Sequence, residues 1–297
     1  MSELKIITAP SVYVIGRQAV DESELDRFLA DNGTPWESDS EVGAEVLVEV
    51  GGRLCYQSFA KPRPGGNAAY IGHIKEVGHG SVCEHAAWNL LVTGVSRSLT
   101  HELVRHRAGV SPSQLSQRYV DESECAFVVP PALLEEVRAA HAMRECVEVA
   151  DRGCRDAVQR HWLSENKDRA EAATVGDDWL TCCQFEQARY VRLCDHLTAK
   201  AQRQGMVGTD ARKWARSAAR SVLPECTETK IFLTANARAL RHFLEMRGSR
   251  HADAEIRRLA AAVLGVLQRE SPALFGDYTT APLPDGIPEI RTPYRKV

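Results

Sequence analysis

The chain has 297 residues, of which 44% are hydrophobic and 26% are charged, so its composition is that of a globular protein and excludes a disordered chain. Its 37 basic and 40 acidic residues give a net charge of −3, which excludes a protein that coats nucleic acid through a globally basic surface. No apolar run reaches the roughly 18 residues of a membrane span, and the N-terminal residues lack the basic-then-apolar order of a secretory signal. We therefore expect a cytoplasmic protein whose nine cysteines are reduced thiols.

Short strands and helices are predicted in the first half of the chain. β-Branched residues predict a strand over 5–15. An acidic surface excursion follows over 20–44, with one short helix from Glu22 to Ala30, and the Pro- and Gly-rich stretch 61–67 predicts a loop. The other predicted elements of this half are a helix over 69–77, a strand over 86–93 that Gly94 ends, a helix over 97–106 with Ser96 as its N-cap, and a strand over 126–130.

Helices dominate the second half. Across 132–204 charged positions lie opposite apolar ones, which predicts two helices in a hairpin with a break near 164–176. The later predicted elements are a helix over 210–222, a strand over 229–234, a helix over 237–247 capped by Asn236, a helix over 252–270 and an extended tail over 271–297.

The order of these elements favours the α+β class, because strands and helices do not alternate as they do around a parallel sheet. We predict one domain spanning 1–297, with a small, mainly antiparallel sheet flanked by long helices. The stretch at about 140–200 is interpreted as an added helical segment.

The most distinctive polar segment is Arg105–Tyr119, with the sequence RHRAGVSPSQLSQRY. Dinucleotide-binding, P-loop, zinc-protease and nucleophile-elbow fingerprints are missing from the chain. Guanidinium groups match phosphate and carboxylate oxygens, and short hydroxyls with backbone N–H groups complete an anion cradle. The segment therefore predicts an anion site, although cations at this place could also simply offset the dipole of the preceding helix.

Three sequence blocks together resemble the flavin-dependent thymidylate synthases. The first is RHR followed by eight residues, Ser116, and the pair Arg118-Tyr119. The second is His79-Gly-Ser-Val-Cys-Glu84-His85, and the third runs from Arg220 through Asn236, Arg238 and His242 to Arg247. The chain departs from the family pattern at Cys55, Glu102 and Gln114.

The resemblance implies a fold and a reaction. The reaction is methylation of dUMP to dTMP, with methylenetetrahydrofolate as carbon donor and FAD, reduced by NADPH, as hydride source, so that tetrahydrofolate is released. The implied assembly is a homotetramer with active sites shared between subunits, and it involves neither nucleic acid nor a membrane.

The same resemblance implies roles for individual residues. Arg247 is expected to polarise the uracil ring, and a guanidinium fixed there would stabilise negative charge as the ring becomes nucleophilic. The residues expected to contact FAD are His79, Ser81, Arg105, His106, Arg107, Gln114, Asn236, Arg238 and His242. The residues expected to contact dUMP are Glu102, Arg105, Gln114, Leu115, Ser116, Gln117, Arg118, Arg220 and Arg247.

Two other classes of function remain open from the residues alone. A nucleic-acid-binding protein would use the arginine-rich loop on phosphates, and its binding would depend steeply on salt. A metal-dependent hydrolase would use His79, Glu84 and His85 as ligands. The family resemblance implies no metal.

Overall fold

The computed structural model describes residues 4–61 and 64–297. These residues form two compact units, each assembled from separate stretches of sequence. Unit 1 contains 4–9, 94–98 and 115–229, and unit 2 contains 10–93, 99–114 and 230–297. A single domain spanning 1–297 stays a prediction.

The elements follow each other in mixed order. The strands are β1 (Lys5–Ile7), β2 (Ser11–Arg17), β3 (Ala87–Ser96), β4 (Val110–Gln114), β5 (Ala126–Val128), β6 (Glu228–Asn236), β7 (Thr279–Ala281) and β8 (Glu289–Arg291). The helices are α1 (Glu22–Asp31), α2 (Gly43–Tyr56), α3 (Gly66–Glu76), α4 (Arg97–Leu103), α5 (Leu134–Glu148), α6 (Arg155–Glu165), α7 (Lys167–Arg203), α8 (Gly208–Ala219), α9 (Ala237–Arg247), α10 (Ala254–Glu270) and α11 (Pro272–Phe275).

The principal sheet has the strand order β2-β3-β6-β4. β2 pairs antiparallel with β3, and β4 pairs antiparallel with β6 from Val110↔Ala235 to Gln114↔Ile231. Along β6 the side chains of Ile231, Leu233 and Ala235 are buried, because alternate residues of a strand point to the same face. The inner face of the sheet meets α9 and α10, where Leu233, Leu240 and Val263 line one apolar cavity. These features confirm the predicted α+β class with its small antiparallel sheet.

Unit 1 combines a short parallel strand pair with a group of helices. β1 pairs with β5 from Lys5↔Ala126 to Ile7↔Val128. α7 is 37 residues long and packs against α5 and α8. Gly176 lies inside α7, and a Cβ placed there would lie 2.1 Å from the carbonyl oxygen of Glu136 in α5. The predicted break near 164–176 is therefore wrong in its C-terminal part: Gly176 permits close packing, and the helix boundary falls at Asn166.

A buried ion cluster ties the residues after 270 to the rest of unit 2. The Arg241 side chain, on α9, is fully buried and donates to both carboxylate oxygens of Asp277 at 2.8 and 2.9 Å. Lys75 donates to the same carboxylate at 2.7 Å. Burial by itself would raise the pKa of Asp277, but hydrogen bonds from Arg241, Lys75 and Thr292 lower that pKa to about 2.

The predicted extended tail is therefore only partly correct. α11 and the β7–β8 hairpin interrupt it, and Leu274 and Phe275 are fully buried. The prolines of this stretch suggested an extended surface path, but apolar residues between them fill the core.

Other expectations about the elements also change. The strand predicted over 5–15 is two strands in different sheets, with a break before Ser11. α2 was not predicted, because 20–44 looked like a surface excursion and Gly51-Gly52 interrupts the apolar pattern. A Cβ on Gly52 would lie 2.4 Å from the Tyr70 hydroxyl, so this glycine allows α3 to approach.

The predicted loop over 61–67 and the strand ending at Gly94 also change. Residues 62 and 63 lie outside the described part, and α3 already begins at Gly66. β3 continues beyond Gly94 to Ser96: Gly94 adopts a φ of +68° within the strand, and its amide donates to the Glu228 carboxylate at 3.0 Å. The first amides of α4, on Arg97 and Ser98, donate to the carbonyls of Thr227 and Glu225, and an N-cap role for Ser96 stays a prediction.

Candidate active site

The Arg105-His106-Arg107 sequence lies in the turn between α4 and β4. α4 ends at Leu103, three residues earlier than predicted, so these side chains project from a turn instead of a helix face. Arg105 and Arg107 are exposed, whereas His106 is partly buried. The turn leads into β4, a strand the sequence analysis did not predict because Ser111-Pro-Ser reads as a loop. Pro112 is tolerated there because β4 is an edge strand.

The pairing of β4 with β6 brings this turn to the start of α9. The amide of Asn236 donates to the carbonyl of Gly109 at 3.0 Å, and the Asn236 side chain accepts from the amide of Ala239 at 2.9 Å. Asn236 is thus the N-cap of α9, as predicted. Gly109 has φ +69°, and a Cβ there would lie 2.6 Å from the Asn236 amide nitrogen. A glycine is therefore needed for the turn to reach this position.

Arg247, the last residue of α9, is held by two acceptors from the end of α4. Its Nε donates to Nε2 of His106 at 3.0 Å, and its Nη1 donates to a carboxylate oxygen of Glu102 at 2.5 Å. Among the described residues, its Nη2 has no hydrogen-bond partner. The guanidinium is therefore fixed through two of its nitrogens, and its Nη2 remains for another acceptor.

His106 is a neutral imidazole in this arrangement. Because Nε2 accepts the hydrogen bond from Arg247, it carries no proton. Burial first, and then the charges of Arg247 and His242, together lower the pKa of His106 to about 4. The rings of His242 and Phe243 stand edge-on to His106, with centroids at 5.8 and 5.4 Å.

A cavity of about 330 Å³ opens beside the start of α9. The predicted cofactor residues Asn236, Arg238 and His242 line it together with Glu84. Arg238 donates to the Glu84 carboxylate at 2.6 Å, and both side chains are close to half exposed. The pair is open to solvent, so it contributes little to stability and can rearrange around a ligand.

The turn Gly80–His85 carries the second block of the sequence motif. His79 precedes it and is exposed, and its Nδ1 lies 3.3 Å from the Tyr56 hydroxyl with the two rings stacked at 5.9 Å. Ser81 is also exposed. His79 therefore takes its orientation from Tyr56 on α2.

The predicted dUMP residues Leu115–Arg118 and Arg220 lie in unit 1, whereas Gln114 lies in unit 2 and donates to the Thr100 hydroxyl at 2.9 Å. The Ser116 hydroxyl accepts from the amide of Arg118 at 3.4 Å, Arg118 donates to Ser217 at 3.2 Å, and Gln117 is buried.

Arg97 is a cationic neighbour of Arg220 in unit 1. Burial lowers the pKa of Arg97, and the positive charge of Arg220 lowers it further, against the opposing charges of Glu122 and Glu225. Two guanidinium groups therefore lie close together in unit 1, an arrangement that favours an anionic ligand.

Comparison with known proteins decides the family. Residues 39–273 match the Thy1 family, described as thymidylate synthase complementing protein. Flavin-dependent thymidylate synthases from Mycobacterium sp. (strain JLS) and from Mycobacterium tuberculosis are each 43% identical over 268 residues, which cover 90% of this chain and 92% of the relative. The chain belongs to the flavin-dependent thymidylate synthase family.

A solved structure shares the fold of this family member. The UMP/dUMP methylase PolB from Streptomyces cacaoi, crystallised with 5-Br UMP, matches with a TM-score of 0.53 and 20% identity, over 93% of this chain and 96% of that chain.

The structure brings together part of the site that the family motif predicts. Glu102, His106 and Arg247 form one cluster, and Asn236, Arg238 and His242 line one cavity, all within unit 2. Arg97 and Tyr56 were not predicted from the sequence, because neither belongs to a motif that marks polar function. No membrane-spanning helix is found among the described residues.

The geometry does not support the alternative of a metal-dependent hydrolase. No group of three or more His, Cys, Asp or Glu residues that could hold a metal occurs within residues 4–61 and 64–297. Glu84 instead pairs with Arg238, and His79 contacts Tyr56. No disulfide joins any of the nine cysteines, all of which lie within the described residues.

Proposed function

We propose that this family member methylates dUMP to dTMP. Methylenetetrahydrofolate supplies the carbon, and tetrahydrofolate is released because the hydride comes from FAD that NADPH has reduced. The observation that carries this proposal is the fixed Arg247 guanidinium beside neutral His106, in the same unit as the cavity of Asn236, Arg238 and His242.

The residues around the cavity fit a flavin nucleotide. They offer a guanidinium, an amide and an imidazole, the donors that suit phosphate and carbonyl oxygens. Gly109 lines the same cavity with exposed backbone. When bound, the flavin supplies hydride-transfer chemistry that none of these side chains provides.

The protein residues would bind and orient the reactants. We assign FAD contacts to the set predicted from the family motif: His79, Ser81, Arg105, His106, Arg107, Gln114, Asn236, Arg238 and His242. We assign dUMP contacts to Glu102, Arg105, Gln114, Leu115, Ser116, Gln117, Arg118, Arg220 and Arg247. In unit 1, the cations of Arg118 and Arg220 suit the phosphate of the nucleotide.

Arg247 would stabilise charge on the uracil ring. Its Nε and Nη1 are committed to His106 and Glu102, so the outward Nη2 is the donor that can reach a carbonyl oxygen of the base. Because this donor is already oriented, no reorganisation is needed when negative charge develops. Neutral His106 serves this arrangement, since a protonated ring would repel the guanidinium.

We also propose a cytoplasmic homotetramer in which the 114–118 loop of one subunit completes the active site of another. The family resemblance suggests this assembly. The side chains of Tyr13 and Ile15 on edge strand β2 are 51% and 59% exposed, which supplies an apolar surface for association. Sedimentation velocity tests the oligomeric state, and a monomer at micromolar concentration would contradict it.

A visible absorption spectrum of the protein as purified, before and after NADPH with dUMP, tests the flavin part. Oxidised-flavin bands that bleach on reduction are expected. A colourless protein that takes up no added FAD would contradict the proposal.

A further inference from the structure

The segment 292–297 is held tightly at one side of the cavity. Lys296 and Val297 line the cavity together with Asn236, Arg238 and His242. Val297 is only 5% exposed. The sequence analysis gave this segment no function and described it as extended tail.

Several contacts fix the path of the segment. The Thr292 hydroxyl donates to Asp277 at 2.5 Å, and the carbonyl of Tyr294 accepts from Arg241 at 3.0 Å. The amide of Lys296 donates to both carboxylate oxygens of Glu245, at 3.2 and 3.1 Å. Arg241 and Glu245 both belong to α9, so the segment is anchored to the helix that carries the predicted cofactor residues.

The other end of the segment meets the turn that follows His79. A Cβ placed on Gly80 would lie 2.1 Å from the carbonyl carbon of Val297, so the glycine is required for this packing. Gly80 stands between His79 and Ser81, two residues assigned to the cofactor. The segment therefore joins two separate parts of the same candidate site.

Lys296 has a backbone conformation that lysine seldom adopts. Its φ is +61°, in the left-handed region that is unfavourable for side chains with a Cβ. The hydrogen bonds to Glu245 hold it there, and its exposed side chain lies at the edge of the cavity. A non-glycine residue held in this region is often part of a functional site.

We propose that Lys296 is a further cofactor-binding residue, whose ammonium group pairs with a phosphate of bound FAD. A flavin nucleotide brings negative charge into a cavity whose lining already includes the carboxylates of Glu84 and Glu245, and a cation in addition to Arg238 would help to balance it. A lysine ammonium on a flexible stem is suited to this, since it can follow a phosphate oxygen as the ligand settles. This inference rests on the proposed flavin function.

The test compares two neighbouring cations in FAD-free protein. Lys296→Gln removes the ammonium at the cavity, and Arg295→Gln removes the same charge from a side chain that lies 3.9 Å from Glu245 and does not line the cavity. Fluorescence titration with FAD measures Kd for each. We expect Lys296→Gln to raise Kd about tenfold at low salt, as for loss of a charged hydrogen bond. Arg295→Gln should change Kd less than about twofold, and Lys296→Arg should stay close to wild type.

Salt dependence separates charge from packing. An ion contact is screened, so the difference between wild type and Lys296→Gln should shrink markedly between about 0.05 and 0.5 M salt. Equal Kd values for Lys296→Gln and wild type, equal losses for the two glutamine variants, or a loss that is independent of salt would each overturn the inference. A wild-type protein that takes up no FAD at all would instead contradict the proposed function.

Discussion

Arg247 owes its proposed role to the two acceptors that fix it. His106 accepts from its Nε and Glu102 accepts from its Nη1, so Nη2 is the nitrogen that remains for a ligand. A flexible arginine would lose side-chain entropy on binding the base, whereas this one is oriented beforehand.

Replacing Arg247 should therefore affect turnover far more than flavin binding. We expect Arg247→Ala to lower kcat for dTMP formation by about 10²–10³-fold, the range for losing one oriented donor at a developing charge. FAD content, measured by absorbance, should stay close to wild type. Arg250→Ala is the matched control, because Arg250 is an exposed arginine three residues on that pairs with Glu289. Near-normal kcat in Arg247→Ala, or loss of its flavin, would contradict the assignment.

The ionisation of His106 predicts a pH dependence of stability. Its pKa is about 4 in the folded protein and about 6.5 in an unfolded chain, so the unfolded state binds the proton first as the pH falls. The stabilising contribution of the neutral ring is complete above pH 6.5 and is lost as the pH falls toward 4.

His106→Gln tests this dependence, since the glutamine oxygen can accept the hydrogen bond from Arg247 but does not titrate. Between pH 7 and 4.5 these pKa values correspond to roughly 2 kcal/mol, and solvent screening of the partly exposed ring reduces this contribution. Urea unfolding should therefore show a loss of stability in wild type that exceeds the loss in the variant by about 1–2 kcal/mol. Identical pH dependence in the two proteins would show that His106 titrates normally.

At the residue scale, site residues that belong to a motif could be predicted from the sequence, whereas isolated site residues could not. Asn236 and Arg247 stand in a pattern whose chemistry depends on their spacing, and the structure places Asn236 at the N-cap of α9 as expected. Lys296 reaches the cavity only because α9 anchors a distant segment. No local pattern in the sequence encodes that contact.

At the scale of elements, glycines inside helices were the main source of error. Gly176 was predicted to lie at a break, and Gly51 and Gly52 lie in a helix that was not predicted; glycine weakens a helix by nearly 1 kcal/mol relative to alanine. In the structure each of these positions is approached by another part of the chain: His85, Tyr70 and the backbone of Glu136, respectively. Contacts with other parts of the chain therefore keep these segments helical, and helix propensity alone does not predict such contacts.

The close approach at Gly176 gives a prediction about helix packing in unit 1. Gly176→Ala should destabilise the protein by about 1–3 kcal/mol, because overpacking outweighs the better helix propensity of alanine. Gly72→Ala is the control, since Gly72 lies within α3 with nothing inside 4 Å of its would-be Cβ. This second variant should be stabilised by about 0.5–1 kcal/mol. Chemical denaturation measures both, and a stabilised Gly176→Ala protein would rule out the close packing of α5 and α7.

Longer elements with regular patterns were predicted well. The bounds of α9 match the predicted 237–247, and β6 extends the predicted 229–234 by a few residues. In both elements the buried residues recur at a regular spacing along the sequence. β4 was missed because its exposed edge carries Ser111, Pro112 and Ser113, which give no hydrophobic alternation.

At the scale of the whole molecule, the α+β class followed from the order of elements, but the distribution of the chain between two compact units did not. Residues close in sequence, such as Gln114 and Leu115, fall in different units. Such a division depends on long-range pairing, including that of β1 with β5, and no local pattern reports it. The family relationship, in contrast, was recognisable from three short motifs.

The folate product provides the most direct test of the proposed reaction. The protein is incubated with FAD, NADPH, dUMP and methylenetetrahydrofolate, and nucleotides and folates are separated by chromatography. A flavin-dependent synthase yields dTMP and tetrahydrofolate in equal amounts, and omission of NADPH limits the yield to the flavin already reduced. Formation of dihydrofolate with dTMP, or no dTMP from a protein that carries reducible flavin, would contradict this account.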